Sequence, residues 1–259
     1  MPEHDLDLLI EAAQAAGRIA TSFTGQTAKK WDKPNGAGPV TEADLAVDEM
    51  LHKTLLSARP SYGWLSEETE DNDLRLKEDK VFIIDPIDGT RSFAEGANTW
   101  AHSLAISNKG EITAAVVFLP LRDKMYTAAK GHGAWLNGEP LTVSTHTQLA
   151  NARVLATKVN SEPRFWPNGL PSFERHHRPS LAYRLALVAE GKFDAMFTFR
   201  PSWEWDIAAG ALLVSEAGGV ITDQTGKPLN FNNPDALLNG IIAGGSALHA
   251  QSLVARQIA

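Results

Sequence analysis

The chain has 259 residues, of which 43% are hydrophobic and 21% are charged, and it contains no cysteine. This composition excludes fibrous and low-complexity classes, and the lack of cysteine excludes disulfides, thiolate zinc sites and a cysteine nucleophile. The 31 acidic residues outnumber the 24 basic ones, so the formal charge of −7 argues against a nucleic acid polymer as a partner.

The N-terminal sequence MPEHDLDLLIEAAQAAG carries acidic side chains where a signal peptide needs basic ones, and no apolar run approaches the length of a membrane span. We therefore expect a cytoplasmic protein that does not bind a membrane. The negative charge does not exclude a small anionic metabolite as the substrate, because bound divalent cations can reverse the sign of the electric field at a binding site.

Apolar residues at helical spacing predict two helices, over Leu6–Phe23 and Thr41–Leu56. The segment between them, Lys29–Pro39, is rich in Lys, Gly and Pro, which favours a mobile loop. A polar stretch, Ser66–Lys80, precedes the apolar run Val81–Ile84, which is typical of a buried strand.

The middle of the chain carries short β-type runs separated by turn signals, which predict an antiparallel meander over Ser103–Ile106, Thr113–Phe118, Lys124–Thr127 and Ala134–Leu136.

Strands and helices alternate beyond about residue 150, which favours an α/β half. The predicted elements are a strand at Val154–Ala156, a helix at Leu181–Glu190, a strand at Ala195–Phe199 and a helix from about Asp206 to Gly218. We expect an N-terminal α+β half over residues 1–146 and a C-terminal α/β half over residues 147–259.

The most informative segment is DPIDGT, which directly follows the predicted strand. Asp85 and Asp88 can converge on one cation at the strand end, and carboxylates without cysteine favour magnesium, manganese or calcium. Gly89 permits close backbone approach, and Thr90 offers a hydroxyl where a helix could begin, which suits a phosphate. The alternative is a pair of ordinary turns built from Asp, Pro and Gly.

A second acidic candidate, Asp206, stands in WEWDIAAGALLVSEAGG at a predicted helix start. It is either an ordinary N-cap or a metal ligand that the second half of the chain donates to the first. The spacing of residues in the sequence does not distinguish between these two roles.

Four blocks occur together in order: VTEAD, SEE, DPIDGT and WDIAAG…EAGG, with KMYTAAKGHGAWLNG between the last two. In this combination the chain resembles the inositol monophosphatase family. The resemblance implies an α/β (α+β) fold, a layered α-β-α-β-α sandwich with the site in the cleft between its halves. It also implies a phosphomonoesterase in which metal-activated water attacks a small phosphate ester, inhibition by lithium, and a homodimer.

The resemblance implies a metal site with two or three Mg²⁺ ions. Its ligands would be Glu67, Asp85, the main-chain carbonyl of Ile87, Asp88 and Asp206, with Asp85 bridging two cations. Glu68, next to Glu67, does not match a family ligand.

The resemblance also implies catalytic roles. Asp44, with Thr90, would orient and deprotonate the attacking water, and Glu67 would assist as a metal ligand. Read without the resemblance, Asp44 has the spacing of a capping box with Thr41.

Phosphate contacts would come from Gly89, Thr90 and Ser92. Lys33 matches a family lysine in the mobile loop, although a lysine in a basic loop is more often plain surface.

The substrate is harder to infer. Inositol-phosphate enzymes of the family place a glutamate seven positions before the second-block aspartate, and here that position is Phe199. The presence of Arg91 after Thr90 and of the WEWD sequence resembles the 3′(2′),5′-bisphosphate nucleotidase branch. Arg200 could pair with a second phosphate and Trp203 could stack on a base, although buried or rim aromatics are the commoner outcome.

The favoured prediction is therefore a 3′(2′),5′-bisphosphate nucleotidase, and three alternatives stay open. They are an inositol-1-monophosphatase, a broader sugar-phosphate phosphatase, and a non-catalytic protein that binds a partner through the same fold.

Overall fold

The computed structural model describes residues 2–23, 27–34 and 38–256. Its helices are α1 (Pro2–Ser22), α2 (Glu42–Ala58), α3 (Thr90–Ala94), α4 (Leu181–Ala189), α5 (Glu204–Glu216) and α6 (Ser246–Arg256). No described helix is both long enough and apolar enough to cross a bilayer.

The strands in the first half of the chain are β1 (Lys30–Asp32), β2 (Pro39–Thr41), β3 (Gly63–Ser66), β4 (Lys80–Asp88), β5 (Ala101–Asn108), β6 (Glu111–Leu119), β7 (Lys124–Ala129), β8 (Ala134–Leu136) and β9 (Glu139–Pro140). Those in the second half are β10 (Arg153–Leu155), β11 (Glu174–His176), β12 (Ala195–Thr198), β13 (Ser202–Trp203), β14 (Val220–Thr222), β15 (Leu237–Leu238) and β16 (Ile241–Gly244).

The larger sheet follows the chain order β3-β4-β5-β6-β7-β8-β9. Only the β3–β4 pair in it is parallel, so the predicted antiparallel meander is confirmed. Alternate residues of each strand face opposite sides. Phe82 and Ile84 pack in one apolar cluster with α1 and α2, whereas Val81 and Ile83 pack in another with α4 and α5.

The smaller sheet has the order β11-β10-β12-β16-β14. Helices α4 and α5 pack on each other, and between them they contact strands of both sheets, while α6 contacts β16 and β14. Leu248 of α6 shares a separate apolar cluster with Phe197 and Ile242, on the outer face of this sheet. The layers therefore run helix, sheet, helix, sheet, helix, and the predicted α-β-α-β-α sandwich is confirmed.

The predicted strand Val81–Ile84 is too short. Strand β4 continues to Asp88, because Asp85 still pairs with Ser103 of β5 and Asp88 with Ala101. The register shifts between these two pairs, so the chain passes through a β-bulge rather than leaving the sheet in a turn.

The segment Lys29–Pro39, predicted as a loop, contains strand β1 and the first residue of β2, which pair with each other. Trp31 of β1 lies opposite Val40 of β2 in an antiparallel pair. The tip at residues 35–37 lies outside the described residues. The boundary at residue 146 stays a proposal, and it falls between β9 of the larger sheet and β10 of the smaller one.

Candidate metal centre

Two carboxylates at the end of β4 meet a third from a distant part of the sequence. Asp85, Asp88 and Asp206 each offer one oxygen, and these oxygens lie within 4.8 Å of one another. Asp85 is 1% exposed, and neither of its carboxylate oxygens has a hydrogen-bond partner among the described residues. A buried carboxylate without any partner is costly, so this cluster fits a cation.

The local backbone explains how the strand delivers these groups. The bulge between Asp85 and Asp88 re-aims the end of β4, and Gly89 then takes a φ of 101°, which favours glycine. Helix α3 begins at once with Thr90, whose hydroxyl donates to the Ile87 carbonyl at 3.2 Å. Strand, bulge and helix thus place two carboxylates and a hydroxyl within six residues.

Asp206 is the third residue of α5, and Trp203 holds the cap position. The N-cap interpretation of Asp206 is therefore wrong. Buried Glu204 fixes the start of this helix, because its carboxylate accepts hydrogen bonds of 2.7 Å from the backbone N–H groups of Asn232 and Asn233. Asp206 is then directed from the second half of the chain towards Asp85.

Asp88 is held by the first residues of α4. Its Oδ2 accepts from the Ser180 hydroxyl and from the Ala182 backbone N–H, both at 2.7 Å. Ser180 caps α4 with a φ of 63°, which a non-glycine residue rarely adopts. The strain indicates that the position is determined by the site rather than by local preference.

The electrostatics of the cluster favour a counter-ion. Burial, followed by the negative charges of Glu67, Asp88 and Asp206, raises the pKa of Asp85 well above its ordinary value. Burial also raises the pKa of Asp88 to about 6, against the hydrogen bonds from Ser180 and Ala182. A divalent cation would relieve this repulsion, and oxygen-only ligands suit Mg²⁺.

Glu67 lines the same space as the three aspartates and forms an ion pair with Lys33. The Lys33 ammonium group is 2.8 Å from Glu67 Oε1 and 2.7 Å from Glu68 Oε1. Burial opposes the charge of Lys33, but the two glutamates still raise its pKa. Lys33 thus offsets one of the two negative charges of the glutamate pair.

Asp44 stands behind Thr90, at the start of α2. The Thr90 hydroxyl lies 3.1 Å from Asp44 Oδ1, and Thr41 donates to Oδ2 through its hydroxyl at 2.5 Å and its backbone N–H at 2.9 Å. The Thr41 side chain also accepts from the Asp44 N–H, so the predicted capping box is confirmed. Burial raises the pKa of Asp44 to about 6, which makes the carboxylate a better proton acceptor.

A cavity of about 360 Å³ opens beside the carboxylates. It brings together the following predicted residues: Glu67, Asp85, Asp88, Gly89, Thr90, Ser92, Arg200 and Asp206.

The lining of this cavity also includes a basic wall. Arg91, Arg184, Arg200 and His177 line it. Arg184 is 7% exposed, and its guanidinium group contacts His177 Nε2 at 2.9 Å and the Arg178 carbonyl at 2.5 Å. Sequence reasoning missed Arg184, whose one visible signal was a single charge within the apolar run LAYRLALVA of α4.

Phe199 and Trp203, the two aromatic residues considered in the substrate prediction, do not line this cavity. Phe199 is buried against Phe165 and Trp166, with the Arg256 guanidinium group 3.7 Å from its ring centre. Trp203 stacks on Trp205 with ring centres 4.8 Å apart and is not among the described residues that line the cavity. Its stacking on a nucleobase therefore gains no support from the geometry.

Comparison with known proteins shows the family of the chain. The model of the inositol monophosphatase family matches residues 1–258. An inositol-1-monophosphatase of Rhizobium meliloti is 36% identical over 238 residues, which cover 86% of this chain and 88% of the relative. The Nus factor SuhB of Escherichia coli K12 is 31% identical over 96% of this chain and 94% of its own length.

The fold agrees as well. The crystal structure of the extragenic suppressor protein suhB from Bartonella henselae superposes with a TM-score of 0.83 at 29% identity, covering 98% of each chain. With a family model that spans nearly the whole chain and relatives above 30% identity, the chain belongs to the inositol monophosphatase family, whose members are metal-dependent phosphatases.

Proposed function

We propose that the protein is a magnesium-dependent phosphomonoesterase whose substrate carries a second anionic group, with a 3′(2′),5′-bisphosphate nucleotide as the substrate that fits best. The observation that carries the reaction is the unpartnered carboxylate of Asp85 within the Asp88–Asp206 cluster. The observation that carries the substrate class is the basic wall formed by Arg184 and Arg200.

The expected ligands are Glu67, Asp85, Asp88, Asp206 and the carbonyl of Ile87. When bound, two or three Mg²⁺ ions would neutralise the phosphate oxygens and acidify the attacking water. The carboxylates contribute by forming a negatively charged pocket, in which Asp85 and Asp88 are buried.

Asp44 and Thr90 supply the proton path. The Thr90 hydroxyl lies within hydrogen-bond distance of Asp44 Oδ1, so it can pass its proton to that carboxylate while its oxygen takes a proton from the attacking water. The raised pKa of Asp44, about 6, suits a general base near neutral pH.

The phosphate would lie against Gly89, Thr90 and Ser92. These residues line the cavity at the start of α3, next to Asp88. Lys33 contributes indirectly, because its ion pairs hold Glu67 in place.

The basic wall favours a bisphosphate over inositol 1-phosphate. A glutamate at position 199 would recognise hydroxyl groups, but Phe199 is packed in an apolar cluster instead. Arg184 and Arg200 both line the cavity and present positive charge there. Arginine binds phosphate through paired hydrogen bonds, so these two residues fit a second phosphate group.

Two other functions have specific support. The printed name of the Rhizobium meliloti relative favours inositol-1-monophosphatase, and a broader sugar-phosphate phosphatase would share that mechanism. The non-catalytic alternative is kept because the Escherichia coli relative carries the name Nus factor SuhB rather than the name of an enzyme. A homodimer, lithium sensitivity and a cytoplasmic location also stay predictions from the resemblance.

The substrate assignment is tested by comparing kcat/KM for adenosine 3′,5′-bisphosphate, adenosine 5′-monophosphate and inositol 1-phosphate at one Mg²⁺ concentration. We expect the bisphosphate to exceed both monophosphates by about tenfold or more, because a second charge-assisted contact contributes about 1.5–3 kcal/mol. Preference for inositol 1-phosphate would assign the inositol function instead.

A further inference from the structure

The bulge in β4 leaves one residue of β5 facing two of its partner strand. Asp85 pairs with Ser103 and Asp88 with Ala101, so Pro86 and Ile87 both lie opposite His102. A bulge interrupts the hydrogen bonds of the ladder, and Pro86 has no N–H to donate. The Pro86 carbonyl needs a donor from outside the ladder.

The His102 side chain provides that donor. Its Nδ1 lies 2.5 Å from the Pro86 carbonyl oxygen, and the imidazole ring is 0% exposed. A carbonyl only accepts, so the proton must be on Nδ1. The bond therefore closes the gap that the bulge leaves in the sheet.

The other ring nitrogen has no such partner. Nε2 is buried without a hydrogen-bond partner among the described residues, and the rings of Trp100 and Phe118 lie 5.4 Å and 6.3 Å from the imidazole. Burial lowers the pKa of His102 to about 4, in opposition to the bond with Pro86, so the ring is neutral. An apolar residue would avoid the cost of this unpartnered nitrogen.

We propose that His102 is a positioning residue for the metal centre. Its bond to the Pro86 carbonyl fixes the bulge, and the bulge sets the direction of the Ile87 carbonyl and of the carboxylates on either side. The inference rests on the proposed metal site, and it adds a residue that has no direct contact with the metals. Mutation of a residue that orients the direct ligands of a metal commonly lowers metal affinity by about 10- to 100-fold.

The test compares two variants of similar side-chain size. Asparagine at position 102 can place its Nδ2–H group where the imidazole Nδ1–H lies, whereas leucine has no donor. Isothermal titration of the metal-free proteins with MgCl₂ measures the Mg²⁺ affinity directly, without any turnover. We expect His102→Leu to weaken Mg²⁺ binding by about tenfold or more, and His102→Asn to stay within about threefold of the wild type.

Unchanged Mg²⁺ affinity in His102→Leu, with the wild type binding normally, would overturn this inference alone. Absence of Mg²⁺ binding by the wild type would overturn the proposed function as well. An equal loss of Mg²⁺ affinity in both variants would show that loss of the imidazole ring, and not of its hydrogen bond, is responsible. That result would also overturn the inference about His102.

A measurement on the wild type covers the case in which a variant does not fold. Two-dimensional NMR of ¹⁵N-histidine-labelled protein distinguishes the protonated from the unprotonated ring nitrogen. We expect His102 to carry its proton on Nδ1, with and without Mg²⁺. A proton on Nε2 would contradict the bond to Pro86 and overturn the proposal.

Discussion

The Ser180 hydroxyl donates to Asp88 Oδ2 at 2.7 Å, which joins the first helix of the second half of the chain to the strand end that carries the candidate metal site. The same oxygen of Ser180 accepts from the Tyr183 N–H at 3.0 Å. One side chain therefore caps α4 and holds a metal ligand.

This relationship predicts different effects for two substitutions. Ser180→Ala removes the bond and keeps a φ of 63°, whereas Ser180→Gly removes the bond but accepts that φ without strain. We expect the alanine variant to be less stable than the glycine variant by about 1 kcal/mol, and both to bind Mg²⁺ more weakly than the wild type. Urea unfolding and Mg²⁺ titration measure the two effects, and equal stability of the variants would argue against strain at this position.

Replacing one carboxylate of the cluster should separate activity from stability. We expect Asp206→Asn and Asp88→Asn each to lower kcat by roughly a hundredfold or more, because charge stabilisation of the reaction is lost. For Asp206→Asn we also expect a higher melting temperature without metal, since burial and nearby carboxylates raise the pKa of Asp206 and so oppose its charge. Asp7→Asn, at an exposed position of α1, is the matched control. Near-normal activity in either site variant would remove that residue from the metal site.

The basic wall can be tested through substrate discrimination. We expect Arg200→Ala and Arg184→Gln to lower kcat/KM for adenosine 3′,5′-bisphosphate by about 10- to 100-fold, and that for simple phosphomonoesters much less. Arg164→Ala is the control, because Arg164 is exposed and pairs with Glu162 outside the cavity. Equal losses on both kinds of substrate would show that the arginines do not recognise a second phosphate.

Metal binding should become more stabilising as the pH rises. The pKa values of Asp44 and Asp88 are raised from 3.8 to about 6 in the folded metal-free protein. Well below pH 3.8 these groups are protonated in both states, and as the pH rises to about 6 the unfolded chain loses protons first, so their contribution to stability is lost. Mg²⁺ binds the ionised carboxylates and restores stability.

Thermal melts with MgCl₂ and with EDTA check this prediction. We expect the increase in melting temperature caused by Mg²⁺ to be larger at pH 7.5 than at pH 5. An increase independent of pH would mean that the binding groups are ionised throughout, and would contradict the raised pKa values.

Much of the fold follows from local pattern. Short β-type runs between turn signals predicted the strands β4 to β8 of the larger sheet, and β8 at Ala134–Leu136 has the predicted bounds. Its outer strands β3 and β9 were not predicted. The end of β4 was predicted at Ile84 because Asp85 and Pro86 look like turn residues. Pairing with Ser103 and Ala101 of β5 overrides that local preference.

The site was less accessible to sequence reasoning, since its residues meet through tertiary structure. The DPIDGT segment indicated the metal site, but local spacing could not show that Asp206 reaches it or that Ser180 supports Asp88. Arg184 was missed because an arginine in an apolar helix carries no local sign of the cavity it lines. His102 was missed because the bulge that it faces was not predicted.

The catalytic metal site is tested most directly by phosphate release from a panel of small phosphate esters by the wild type and by Asp85→Asn, each with MgCl₂ and with EDTA. Because both carboxylate oxygens of Asp85 lack a hydrogen-bond partner among the described residues, we expect release by the wild type with Mg²⁺ and its loss both in EDTA and in the variant. Release that persists in EDTA, or in Asp85→Asn with an unchanged kcat, would contradict a catalytic metal site at Asp85, Asp88 and Asp206.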